Sequence, residues 1–102
     1  MRIIELNAAP WRNVWDLDDA LKEALGSCEG HGSSVDAWID SMIYGGMNAV
    51  EPPYVIRVVG TASVGAKLQD AIWELAEAIR EARAWRLEHY GDDVDVSFQI
   101  EP

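Results

Sequence analysis

"PPYVIRVV", residues 52–59, opens with two prolines and then runs through Tyr54, Val55, Ile56, Val58 and Val59 with only Arg57 to interrupt it. β-branched and aromatic residues suit a pleated surface. Apolar residues at consecutive rather than alternate positions suit a strand covered on much of its surface. Proline cannot donate to a sheet ladder, so Pro52 and Pro53 mark the entry to this strand. A strand of this kind belongs in the middle of a sheet, and the rest of the chain supplies two neighbours for it.

"RIIEL" (2–6) reads as a short strand, with Pro10 marking the turn after it. Near the other end, Val94, Val96, Phe98 and Ile100 alternate with Asp95, Ser97, Gln99 and Glu101, the period of a strand with one buried face. Between the first and middle strands, Leu17, Ala20, Leu21, Ala24 and Leu25 fall on one stripe of a helix. Asn13 or Asp16 can cap that helix, and Gly26 ends it. A second helix is capped by Ser33 or Ser34. It projects Val35, Ile39, Met42 and Ile43 to one side, carries Trp38 at the edge of that stripe, and stops at Gly45 and Gly46. From about Ala66 to His89, Leu68, Ala71, Ile72, Leu75, Ile79 and Ala82 keep helical spacing, with Gly91 as the C-cap. Strands separated by helical crossovers pair in parallel. The expected fold is therefore α/β: one domain spanning residues 1–102, with a three-stranded parallel sheet packed against about three helices and the 52–59 strand central.

Composition narrows the partners. The chain of 102 residues has 18 acids against 8 bases, a net charge of −10, which disfavours nucleic acid and anionic membranes and favours a basic partner. From Asp16 to Glu51 there are eight acids and a single base, Lys22, so this segment is the expected electrostatic face. Cys28 is alone, which rules out an internal disulfide and suits a reducing cytoplasm. No apolar run approaches the ~20 residues of a membrane span, and the opening segment lacks the apolar core of a signal peptide. A soluble, cytoplasmic monomer is expected.

Within the acidic segment lies "GHGSSVDAWIDSM", residues 30–42. Asp36 and Asp40 stand one helical turn apart with nothing basic beside them, a mutual repulsion of roughly 0.2–0.5 kcal/mol. From spacing alone they fit a solvated helix face. Equally, Trp38 fits a core edge, His31 a solvated loop position, and Glu81 a surface ion pair on a helix rich in acid–arginine neighbours.

"WDLDDALKEAL" followed by "GHGSSVDAWID" resembles the barstar family of ribonuclease inhibitors, through Gly32, Val35, Asp36, Ala37 and Asp40. "IREARA" (79–84) is similar to the family's last helix and places Glu81 at a family acidic position. The resemblance implies a barstar-like fold. It also implies that the second helix and the loop before it plug the active site of a basic nuclease, a ribonuclease or a toxin nuclease domain, as an immunity protein does. His31, Gly32, Ser34, Asp36, Trp38, Asp40 and Glu81 would be the residues in contact. The sequence departs from the family at Gly30 and His31, where barstar has aromatics, at Ser34, where the family has asparagine, and at Trp38, one place earlier than the family's tryptophan. Its last helix is several residues longer. A non-inhibitory interaction domain of the same fold is the competing reading.

Catalysis has little support. Ser33 and Ser34 are better explained as caps than as nucleophiles, and no oxyanion-donor arrangement accompanies His31 and Asp36. The spacing of Cys28, His31 and Asp36 matches no zinc or calcium loop, and "GTASVG" (60–65) lacks the P-loop lysine. No enzyme activity, cofactor or metal is expected.

Overall fold

The computed structural model describes residues 1–28 and 30–102. Strand β1 (Arg2–Asn7) leads into helix α1 (Val14–Leu25), then helix α2 (Val35–Ile39), which continues directly into a π-helical turn, Asp40–Tyr44. Strand β2 (Tyr54–Val59), a 3-10 turn (Thr61–Ser63), helix α3 (Ala66–Tyr90) and strand β3 (Val96–Ile100) follow. The strands lie in the order β1-β2-β3 and both pairings are parallel. The fold is α/β, as the element order requires, with the 52–59 segment supplying the central strand.

Register explains which face is covered. Ile4, Ile56 and Phe98 stand side by side across the sheet, as do Leu6, Val58 and Ile100. These even-numbered positions meet Leu17, Leu21 and Leu25 of α1, Trp38, Met42 and Ile43 of the α2 segment, and Leu68, Ile72, Leu75 and Ile79 of α3 in one core. On the opposite face Arg57 forms ion pairs with Glu5 at 3.4 Å and Glu101 at 2.8 Å, so one arginine ties all three strand paths together. Arg57 thus interrupts the apolar run because it points away from the helices. Tyr54, at the covered end of β2, is fully buried, and its hydroxyl has no hydrogen-bond partner among the described residues. Burial alone pushes its phenol up to about 12.

Helix ends follow local chemistry. Asn13 caps α1 with a reciprocal capping box: its side chain accepts from the Asp16 amide, while the Asp16 carboxylate accepts from the amides of Asn13 and Arg12. Gly26 closes α1 at φ 61°, where a Cβ would sit 2.8 Å from that of Ala49. The second helix departs from expectation. It reaches Gly45, but its last turn is closed by the Gly45 amide donating to the Asp40 carbonyl five residues back, at 2.9 Å. The spacing of apolar side chains therefore follows a regular α-helix only as far as Ile39. Val94, expected in the last strand, precedes its first residue. No helix among the described residues is long and apolar enough to cross a membrane.

Candidate functional site

The loop that introduces α2 is fixed at both ends. At its start, the Cys28 amide donates to the Met47 carbonyl at 2.8 Å, and the Ser27 hydroxyl donates to Asn48 Oδ1 at 2.6 Å. At its end, the two serines divide the work. Ser33 Oγ accepts from Lys22 Nζ at 2.8 Å, whereas Ser34 Oγ caps α2 by accepting from the Ala37 amide at 3.1 Å. Gly32 lies so near the helix that a Cβ there would come within 3.1 Å of the Ala37 Cβ. Glu29, one of the eight acids of this segment, lies outside the described residues.

Beneath the loop is a buried polar pair absent from the sequence reading. Trp38 Nε1 donates to Asp18 Oδ1 at 3.0 Å, and both residues are buried, at 1% and 4% exposure. An indole N–H in a core needs an acceptor, and α1 brings one from 20 residues upstream. Burial pushes the Asp18 carboxyl above the ordinary carboxylate value; the Trp38 hydrogen bond and the charge of Lys22 oppose that shift. The His31 ring lies against Trp38, with centroids 4.2 Å apart, and is itself buried. His31 Nδ1 lies 2.5 Å from the Gly32 carbonyl, to which it donates, while Nε2 has no partner among the described residues.

These positions correct three expectations. Trp38 is in the core, not at its edge, because Asp18 satisfies its N–H and His31 covers its ring. His31 is not solvated, because Trp38 supplies an apolar face for it. Asp18 does not belong to the electrostatic surface. Neither the Trp38 nor the His31 ring is open to a partner in this conformation; both shape the loop from below.

Asp36 and Asp40 are different. Both are exposed, Asp36 in the first turn of α2 and Asp40 at the junction with the π-turn. The ion-paired arginines, Arg57, Arg80, Arg83 and Arg86, engage Glu5, Glu101, Glu77, Asp93, Asp95 and Asp92; among the described residues no cation lies within 4.0 Å of Asp36 or Asp40. Glu81 is exposed on α3, and among the described residues it too has no ion pair within that distance; Arg80 pairs instead with Glu77. Two exposed acids one turn apart thus stand on a short helix whose Trp38 is hydrogen-bonded to Asp18 beneath it. Among the described residues no three His, Cys, Asp or Glu side chains converge to hold a metal ion.

Helices packed on one face of a three-stranded parallel sheet, with an acid-bearing second helix behind a hydrogen-bonded loop, define a small α/β domain with exposed negative charge on that helix. The chain belongs to the barstar family: the family model described as "Barstar (barnase inhibitor)" matches residues 1–100. Members of this family are inhibitors. None of the curated proteins matches the sequence.

Proposed function

We propose that this protein inhibits a basic nuclease, a ribonuclease or the nuclease domain of a toxin, by seating the 30–34 loop and the exposed face of α2 in the enzyme's active-site cleft. The observation that carries the reading is the pair Asp36 and Asp40, exposed and, among the described residues, without a cation in ion-pair reach, on a helix whose loop is already braced. In such a complex the carboxylates meet the Arg, Lys and His side chains that otherwise hold nucleic-acid phosphate, and occlusion needs no chemistry from the inhibitor. Gly32 and Ser34 then act by setting the loop and the cap, and Glu81 adds charge from α3. The free, exposed thiol of Cys28 suits action in a reducing cytoplasm.

The test uses the intact chain as immobilised bait for proteins of its source, with bound material eluted in high salt and assayed on RNA and on DNA. Nuclease activity recovered by the wild type and lost with Asp40→Ala is the expected result. Removing one member of a desolvated charge pair weakens binding by about 2 kcal/mol or more. Recovery of no nuclease, or equal recovery by both baits, overturns the proposal.

A further inference from the structure

The far end of α3 extends the surface to which Glu81 belongs. Beyond Glu81 the helix runs on through Trp85 and Tyr90 until Gly91 turns left-handed at φ 71°. Trp85 is 45% exposed and Tyr90 64%. Both rings are nevertheless held in place. Trp85 stacks on His89 at 4.1 Å and meets Tyr90 edge-on at 5.5 Å, and His89 Nδ1 lies 2.9 Å from the Trp85 carbonyl, to which it donates. An aromatic fixed in this way loses little freedom when it becomes a contact.

The patch is continuous with the acidic helix. Arg86 donates to the Ile43 carbonyl at 2.6 Å and lies over the Tyr44 ring at 5.4 Å, joining the end of α3 to the π-turn that begins at Asp40. Tyr44, Arg86, Tyr90 and Asp92 line one groove. At about 100° per residue, Trp85 projects between the directions of Ala71 and Glu74, which border a cleft with Val35 and Trp38. That flank of α3 is the one beside α2. On the same reckoning Glu81 and Glu88 lie within about 60° of Trp85, both exposed. His89 covers one face of the Trp85 indole, so the opposite, exposed face is the one that offers negative ring charge to a cation, and a planar guanidinium can stack there while its N–H groups reach a neighbouring carboxylate.

We propose that Trp85, flanked by Glu81 and Glu88, is a second anchor that receives an arginine side chain of the same basic partner. This rests on the inhibitor reading, and charge complementarity with a basic enzyme together with continuity from Asp40 through Tyr44 identifies the occupant.

Two measurements test it. In the first, the isotope-labelled intact chain is titrated with N-acetyl-arginine amide while the indole N–H signals are followed. Trp15 and Trp73, 63% and 57% exposed, are internal controls. Trp85 should shift saturably and the controls should not; Glu81→Gln with Glu88→Gln should weaken the effect at least about threefold, and the uncharged N-acetyl-norleucine amide should give no shift. Equal shifts at all three tryptophans, or none at Trp85, overturn the anchor. In the second, the nuclease purified on the wild-type chain is titrated with Trp85→Ala and Asp40→Ala, each confirmed to melt as the wild type does. Trp85→Ala should raise Kd about tenfold. An effect of Asp40→Ala without one of Trp85→Ala removes the second anchor and leaves the inhibitor reading standing, whereas no effect of either removes both.

Discussion

Trp38→Phe separates the hydrogen bond between α1 and α2 from the packing around it. The indole N–H reaches a buried carboxylate at 3.0 Å, so its loss removes a charge-assisted bond worth about 1.5–3 kcal/mol. The smaller ring adds about 1 kcal/mol for the lost volume in a site 1% exposed, giving a total near 3 kcal/mol. In an Asp18→Asn background the acceptor is neutral, and the same bond is worth only about 0.5–1.5 kcal/mol. Trp38→Phe should therefore cost about 1 kcal/mol less there. Urea unfolding of the four proteins at pH 7, followed by far-ultraviolet circular dichroism so that no signal depends on the altered tryptophan, measures that difference. The pH dependence has a definite sign. Burial raises the Asp18 carboxyl in the folded state, so its share of stability is fully present below the ordinary carboxylate value and is lost as pH rises through the raised folded value. Asp18→Asn should accordingly gain on the wild type as pH rises through that window and converge with it in acid. Additive costs within about 0.5 kcal/mol, or a wild type that strengthens relative to Asp18→Asn with rising pH, would refute the reasoning.

Three further outcomes are expected. Tyr54→Phe removes a buried hydroxyl that has no partner among the described residues, so the melting temperature should rise, by about 1 kcal/mol of stability; a loss would mean the hydroxyl is satisfied. Asn13→Ala removes the side-chain half of the capping box, leaving the Asp16 carboxylate on the backbone amides, and should destabilise the fold by about 1 kcal/mol in a denaturant titration, with an unchanged midpoint counting against the cap. Association with the purified nuclease, followed by stopped flow, should slow steeply as salt passes ~0.1 M, where the screening length is about 10 Å, and a flat rate would exclude steering by the acidic face.

The sheet could be read directly from the chain because its cause is local. The continuous run at 54–59 and the alternation at 96–100 each report the covering of a strand by its own spacing, and the capping glycines fall where the helices end. The buried polar pair could not be read in this way. A helical wheel places Trp38 at the rim of the apolar stripe, and nothing near it in sequence reveals that Asp18 waits across the interface to accept its N–H. The available signal was chemical: a tryptophan entering a core must find an acceptor, and α1 carries Asp18 immediately after the core residue Leu17. The π-turn was equally hidden, since Asp40–Tyr44 has ordinary helical composition and only the closing bond from Gly45 distinguishes it. Asp36 and Asp40 were legible as an unpaired couple because no base lies near them in sequence, and the fold brings none within ion-pair reach among the described residues.

The parallel order of the strands also sets a timetable for folding. Arg2 aligns with Tyr54 and Tyr54 with Val96, so neither pairing can form until a whole crossover has closed. Such long-range closures must pay their entropy before any contact rewards it, and they make parallel sheets slow to assemble. The acidic helix lies inside the first crossover. During synthesis it emerges well before β2, and the core that braces its loop is complete only after the final strand has joined the sheet. Under the proposed inhibitory role, competence to bind would arrive late and cooperatively, with the last strand rather than with the helix that carries the charge.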